Sequence, residues 1–509
     1  MNDDATPSSC TPSSCTPSSC TPSSCTTAAA SAEPAPPVRN RPGVPARVLG
    51  GLATGTVLQP INSTMIAIGA VAVAAQFGSA GAVSWVISAM YTATAVCAPL
   101  AGRFGAVFGA RRVFLAGLLL VAAGSLIGTF APSIGWLIVA YTLVGAGIAA
   151  HMPNAMTILR VYAERHHLDT GDATAVLLAC SQTTAALGPT LGGLLIGAFG
   201  WHSILWINLP VVVVSAIAIL AIDVGDVGDK TAAAGGLLRT VRAFDLLGVL
   251  LFIASLTPTI FFLISLRSEP AWWSAAVATA ALTLFVLVEL RSDDPFLDVR
   301  ALRANRPLRA TLIRTLILFT CFYCVFFGIP QWLQTARGMS ASEAGLTMLP
   351  VAAMSGVMTF VGAAVYRRFG ARATLFIGSF AFFVGGLLLA LVERSTTPLA
   401  VILIVAAVLG IPQGFNILGN QNLVNASTSP DEVGAATGMY RTMIFIGANL
   451  AVAVLTLTAG HEFDDAGMQR TGWLIAAVTG VLMVGVLFSR NMNPSPPAEP
   501  VPLDRPSDH

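Results

Sequence analysis

Charge is what this sequence has least of. Of 509 residues, 27 are Lys or Arg and 25 are Asp or Glu, 10% in all, against roughly 25% in an ordinary soluble domain. So few ions cannot cover the roughly three or four water-facing domains that the length would otherwise imply, and water is excluded as the main solvent. The formal net charge is only +2, whereas nucleic acid requires a concentrated basic face, so nucleic acid is excluded as a partner. The chain also lacks P-loop, HExxH and GxSxG patterns, the signatures of nucleotide-powered pumps and of hydrolases. No cofactor and no metal is expected. His166, His167, Asp169 and Asp172 share one short loop, but their spacing fits no standard metal site.

Apolar residues make up 55% of the chain, and the mean hydropathy is +0.76. They fall into fourteen runs near 48–75, 82–102, 113–131, 134–157, 174–198, 203–222, 245–266, 271–290, 309–330, 342–364, 373–393, 398–422, 434–459 and 471–489. Each is close to the length that crosses a hydrocarbon layer of about 30 Å as a helix. An all-α integral membrane protein is expected. Lys and Arg in short loops stay on the cytoplasmic side. With the N-terminus inside, 21 of the 27 cations are cytoplasmic, among them Arg103, Arg111, Arg112, Lys230, Arg239, Arg242 and Arg372. Arg267, Arg337, Arg394 and Arg470 fall outside, while Arg314 and Arg441 lie within spans. Losing one span would invert every later loop and destroy this asymmetry. The expectation is therefore an even count, with both termini cytoplasmic, in the cell membrane.

The first 46 residues are a different material. TPSSC occurs four times in tandem over residues 6–25, followed by an Ala/Pro-rich stretch, the composition of a disordered tail. Cys10, Cys15, Cys20 and Cys25 are spaced too widely for zinc-finger pairs and stay reduced in cytoplasm. A second, Pro-rich tail covers 491–509. Cys321-Phe322-Tyr323-Cys324 has CxxC spacing but lies in a span beside Phe319, Phe326 and Phe327, where thiols serve as packing groups.

A duplication is visible. Phe108-Gly109-Ala110-Arg111 after the second span recurs as Phe369-Gly370-Ala371-Arg372 after the tenth, the second of the last six. The implied organisation is a six-helix bundle over 47–222, a two-helix insertion with flanking loops over 223–306, and a second six-helix bundle over 307–490. Parallel halves of this kind are a known membrane architecture.

Polar groups inside the spans are the candidate functional residues. Gln413, Asn416 and Asn420 stand at i, i+3 and i+7, hence on one helix face. In lipid they either line a wet cavity or bond across helices. The same two readings hold for Gln59, Asn62, Gln182 and Asn208. His151 can change charge near neutral pH and reads as a coupling group or as a packing residue. Arg441 faces the protein interior, or it snorkels toward the cytoplasmic end near Asp431 and Glu432. Asp245 and Glu289, at span ends, read as solvated. In the fifth span, Gly188 with Gly192 and Gly193 with Gly197 form small-xxx-small pairs around Pro189, which bends a helix. A gate and plain tight packing both account for that string.

Two stretches resemble a known family. Gly102-Arg103-Phe104-Gly105-Ala106-Val107-Phe108-Gly109-Ala110-Arg111-Arg112 is similar to the loop motif between spans two and three of the major facilitator superfamily. Leu187-Gly188-Pro189-Thr190-Leu191-Gly192-Gly193, with Gly200-Trp201 and Ile207-Asn208-Leu209-Pro210 behind it, is similar to the span-five region of its fourteen-span drug:proton antiporters. The resemblance covers about 47–490. It implies two bundles that rock about a central cavity, with gating at Gly102, Gly109, Arg111, Arg112, Gly188, Pro189, Gly192 and Gly193. It also implies that small amphipathic compounds such as drugs and toxic metabolites leave the cell against inward-moving protons, through a monomer in the lipid bilayer. Gln59, Asn62, Tyr141, Gln182, Gln413, Asn416 and Asn420 are the candidate cavity residues, and His151 and Arg441 the candidates for coupling.

The chain departs from that family where coupling is concerned. Gln59-Pro60-Ile61-Asn62-Ser63-Thr64 is similar to a family segment with aspartate in place of Asn62, and Tyr141-Thr142-Leu143-Val144-Gly145 to one that begins with arginine. The loop motif's usual aspartate is Ala106 here, and the matching site of the second half is Arg367. A carboxylate and a guanidinium within a membrane each cost several kcal/mol unless paired, so losing both is easier than losing one. The amide and phenol left behind do not titrate near neutral pH. A facilitator, a differently coupled exporter and a non-transporting receptor on the same fold stay open as alternatives.

Overall fold

In a computed structural model the apolar runs fold as helices, each satisfying its own backbone hydrogen bonds. It describes residues 43–489 except 79, 169, 223–244, 267–268, 293–294, 298, 429–432 and 461–462. The TPSSC cysteines, both tails, Lys230, Arg239, Arg242, Arg267, Asp169, Asp431 and Glu432 therefore lie outside the described residues.

Among the described residues there are eighteen helices. The first nine are α1 Ala46–Thr56, α2 Leu58–Phe77, α3 Ala80–Phe108, α4 Ala110–Thr129, α5 Ile134–Ala149, α6 His151–His166, α7 Gly171–Phe199, α8 Ser203–Trp206 and α9 Asn208–Ala221. Next come α10 Leu246–Ser265, α11 Trp272–Glu289 and α12 Val299–Ala304. The last six are α13 Arg306–Thr335, α14 Ala341–Thr347, α15 Leu349–Leu391, α16 Leu399–Ala426, α17 Val433–Thr458 and α18 Asp465–Phe488.

Short breaks inside apolar runs have one cause. The helix is interrupted at Val57, Ala150, Ile207 and Met348, two or three residues before Pro60, Pro153, Pro210 and Pro350. A proline ring meets the carbonyl four residues back and brings no N–H to it, so the preceding turn opens. The duplicated tetrapeptide is a second kind of break. Gly109 has φ 94° and Gly370 has φ 77°, values that a side chain rarely tolerates, and each turns one helix directly into the next.

Twelve stretches among the described residues are long and apolar enough to cross a membrane, against the fourteen runs expected. The difference comes from two places. One stretch, Ala341–Leu391, is 51 residues long, about 77 Å as a straight helix and more than twice a hydrocarbon core; Gly370 breaks it. The 29 residues of α7 are long enough, but Gln182, Thr183, Thr184, Gly188 and Pro189 dilute their hydropathy.

Helices before residue 222 pack mainly on one another, α3 and α4 against α5 and α2 against α7. Those after 306 do likewise, with α15 against α16 and α18 and α13 against α17. Helix α10 lies beside α11 and touches both α3 and α17. Large apolar side chains such as Phe360 and Phe488, each 81% exposed, face outward, an arrangement that lipid accepts and water does not.

Opposite the Gly109 and Gly370 turns, a polar cap closes the helices after 306. Asp465 accepts from the Trp332 indole N–H (2.9 Å) and from the Ser395 backbone (2.9 Å), and Arg337 donates to the Thr397 carbonyl (2.5 Å). Glu393, in the loop after α15, is fully buried, and neither of its carboxylate oxygens has a hydrogen-bond partner. Burial pushes this carboxyl up to about 8, while the Arg337 guanidinium pulls the other way. Between the ordinary carboxylate value near 4.5 and about 8, the folded chain holds a proton that the unfolded chain has released, so stability falls as pH rises through that window. Thermal melts of purified protein should therefore show Tm dropping from pH 6 to 9, and Glu393→Gln should flatten that slope. Equal slopes for the two proteins would rule out this assignment.

Candidate functional site

A seam joins the helices before 222 to those after 306. Near the capped end the Thr190 hydroxyl donates to the Gly345 carbonyl (2.8 Å) and the Ser342 hydroxyl to the Gly193 carbonyl (3.0 Å), tying α7 to α14. Gln334 donates to the Ile68 carbonyl (3.1 Å), tying α13 to α2. Midway along, Thr92 meets the Asn449 amide oxygen (3.4 Å). There the Tyr91 ring packs on Tyr323, Phe327 and Phe445 at centroid distances of 5.4, 5.9 and 6.3 Å. Beside these contacts lies a cavity of about 40 Å³ lined by Val83, Ile87, Phe327, Gln331 and Thr456. A drug-sized ligand needs roughly 300 Å³ or more and does not fit it; the helix contacts themselves shut this end.

The glycines of the span-five string make that closure possible. A Cβ on Gly188 would overlap the Thr64 hydroxyl of α2, and one on Gly193 would overlap the Ala341 carbonyl of α14. Gly192 lies against Met65, its would-be Cβ 3.0 Å from the side chain, and Gly345 faces the Pro189 carbonyl at 2.6 Å. Helix α7 is thus pressed between α2 and α14, backbone against backbone. The string is both packing and seam.

The basic loop motif lies at the opposite end. Arg111 donates to the Leu220 carbonyl (2.6 Å) in the last turn of α9, where a cation meets the negative end of the helix dipole. Arg103 donates to the Pro295 carbonyl (2.6 Å), linking α3 to the segment before α12. Gly102 faces Pro153 of α6, and Gly105 accommodates the Asn154 amide, which donates to the Ala101 carbonyl (3.1 Å). Arg112 and Arg367 are exposed.

The candidate amides separate into different settings. Asn62 and Asn208 exchange hydrogen bonds at 3.0 and 2.8 Å, and Asn208 also donates to Ser125 (2.9 Å). This joins α2, α9 and α4, with all three side chains buried. Gln59 donates to Ser63 one turn on (3.2 Å). Tyr141 is buried in α5, whereas Gln182 is exposed on α7. Gln413 is partly buried and Asn416 buried; the Asn416 amide has no hydrogen-bond partner and lies against Gly378. Asn420 accepts from the Arg314 guanidinium (2.8 Å). His151 is fully buried against the Phe114 ring (4.9 Å), and neither ring nitrogen has a partner.

Arg314 is the residue that the sequence pattern does not single out as a site. It is buried in α13 between Asn420 and Thr311, the latter at 3.3 Å. The one available signal was a cation eight residues inside an apolar helix. Asp245 and Glu289 also differ from solvated end groups. Asp245 caps α10 by accepting from the Gly248 N–H (3.0 Å), and Glu289 is buried and accepts from the Leu297 N–H (3.2 Å).

Long apolar helices, lipid-facing side chains and a seam sealed at one end define a multi-pass membrane transporter. The model of the Major Facilitator Superfamily matches residues 52–452 and 311–507, and the chain belongs to that superfamily; it is a transporter and not an enzyme. It is 32% identical over 449 residues to the uncharacterized MFS-type transporter YwoD of Bacillus subtilis, covering 87% of this chain and 97% of that one. It is 27% identical over 441 residues to the tetracenomycin C resistance and export protein of Streptomyces glaucescens, covering 85% and 78%. A crystal structure of a variant of the nucleoside transporter NupG shares the fold, with a TM-score of 0.63 at 14% identity, covering 86% of this chain and 99% of that one.

The contact at Gly193 is testable. Gly193→Val should force α7 off α14, and a cysteine placed at the seam by Ser342→Cys should then react several-fold faster with a membrane-impermeant maleimide. An unchanged labelling rate would show that the seam does not depend on this approach.

Proposed function

We propose that this chain exports small amphipathic compounds, drugs and toxic metabolites among them, by alternating access coupled to inward proton movement. The seam carries the reading. It is shut by small-residue contacts and a few single hydrogen bonds, weak enough to exchange for an alternative packing. The Streptomyces glaucescens relative, a tetracenomycin C resistance and export protein, points the same way. The chain crosses the membrane fourteen times on this reading: the twelve apolar stretches, α7, and a second crossing gained by dividing Ala341–Leu391 at Gly370. Both termini are cytoplasmic, and the monomer's two six-helix bundles are related by the repeat whose glycines, Gly109 and Gly370, share a positive φ. His151, buried with both nitrogens unpartnered, is the coupling candidate on the α6 side.

A second reading, export without proton exchange, is favoured by one observation. Among the described residues no carboxylate lies in the middle of a span between the two groups of helices; the aspartate position of the family segment is Asn62, engaged with Asn208.

Everted vesicles containing the purified protein should accumulate a fluorescent drug such as ethidium and release protons as they do so. Accumulation without proton movement would select the second reading, and saturable binding without accumulation would leave only a receptor. His151→Gln should abolish the pH dependence of transport if antiport runs through that imidazole; an unaltered pH profile removes it from the mechanism.

A further inference from the structure

Two cations lie inside the helices after 306, and among the described residues no anion meets them. Arg314 and Arg441 each stand eight residues beyond the start of their helices, α13 and α17, about 12 Å along the axis. The helices run side by side: a Cβ on Gly447 would be 3.1 Å from the Leu316 carbonyl oxygen and 3.1 Å from the Thr320 nitrogen. Counting back from that contact puts both arginines at nearly the same depth. The Tyr440 hydroxyl lies within electrostatic reach of both guanidiniums. The groups that Arg314 touches, Asn420 and Thr311, are neutral. Among the described residues the carboxylates are elsewhere. Glu164 pairs with Arg160 on the surface, Asp172 stands in the first turn of α7, Asp245 and Glu289 belong to α10 and α11 with Glu269 in the turn between them, and Glu343, Glu393, Asp464 and Asp465 stand at the capped end.

Two like charges in a low-dielectric interior are retained only where something offsets them, and the described residues around Arg314 supply dipoles but no counter-ion. Farther along the same helices the surroundings become aromatic. Phe319 and Tyr323 follow Arg314 on α13, and Phe445 follows Arg441 by one turn. They join through the Phe319–Tyr323 (6.4 Å), Tyr323–Tyr91 (5.4 Å) and Tyr91–Phe445 (6.3 Å) ring contacts.

We infer that Arg314 and Arg441 form the head-group site for organic anions, and that the exported compounds include aromatic carboxylates whose ring rests on the Phe319, Tyr323 and Phe445 surface. This rests on the exporter reading and narrows its substrate class. Guanidiniums are suited to it, being permanently charged and able to present paired donors to a carboxylate. An anion leaving a cell with a negative interior also moves down the electrical gradient, so its export needs no titratable carboxylate in the core.

The test is uptake of radiolabelled 2-naphthoate, 2-naphthamide and the cation tetraphenylphosphonium into everted vesicles. Thermal stabilisation of the purified protein by 2-naphthoate provides a reading that does not depend on flux. Wild type should take up 2-naphthoate with saturation and at least tenfold faster than the isosteric amide. Arg314→Gln and Arg441→Gln should each remove that preference and the stabilisation, and Arg441→Lys should restore part of both. If Arg314→Gln does not fold, the two Arg441 variants decide alone. Uptake of the cation or the amide with no preference for the anion, or an anion preference that survives Arg441→Gln, would overturn the anion site and leave the exporter standing. Uptake of none of the three together with 2-naphthoate stabilisation that requires Arg441 would uphold the site and defeat the exporter reading. Neither uptake nor stabilisation would end both.

Discussion

In hydrocarbon, a peptide group without a hydrogen bond has no water to turn to, and every feature of this protein answers to that constraint. It makes each crossing a helix, and it confines the breaks to places where proline has already removed a donor or glycine can close a turn. It also governs the side chains. Asn62 and Asn208 hold each other because a buried amide left alone costs about 1–3 kcal/mol, and pairing them pins α2 to α9 across 146 residues of sequence. The same rule makes the exceptions informative: Arg314, Arg441, His151 and Asn416 are polar groups whose needs the described structure meets only in part.

Between helices in lipid there is no hydrophobic drive, so association depends on close packing and a few hydrogen bonds. Helix α7 follows this closely. Its glycines let the backbone touch α2 on one side and α14 on the other, and the Thr190 and Ser342 hydroxyls fasten the second contact. A contact of this kind is geometrically demanding yet energetically modest, which suits the parting and re-forming that the proposed alternating access requires. The aromatic cluster around Tyr91 and Tyr323 lies where the seam passes the middle of the molecule. It separates the shut end from the depth at which the two arginines sit, so an amphipathic molecule bound there would meet charge at one end and rings at the other.

Much of the architecture was legible in the residues, because hydropathy and the positions of Lys and Arg report directly on the bilayer. The runs became helices, and the span-five string and the basic loop motif signalled the superfamily to which the chain belongs. Individual sites were harder to read. Gln413, Asn416 and Asn420 share a helix face by spacing, yet Asn420 is bonded to Arg314 while Asn416 rests against Gly378. Spacing along one helix cannot say which neighbour each residue meets. Glu289 looked like an end group in water and is buried under the segment that follows it. Glu393 lay at the edge of an apolar run with nothing to mark it, because its burial is set by tertiary packing and not by its own run.

The sequence alone determined that this is a many-span helical membrane protein of transporter type, with a repeated turn and a shortage of ions in its core. Those properties follow from composition, run length and local pattern, which act within one helix at a time. Only the tertiary structure decided that α7 seals against α14, that Asn62 is matched to Asn208 and that Arg314 and Arg441 come to nearly the same depth on adjoining helices, with no carboxylate beside them among the described residues. Each depends on which helices lie side by side and at what height, and that is set by packing between segments far apart in the chain.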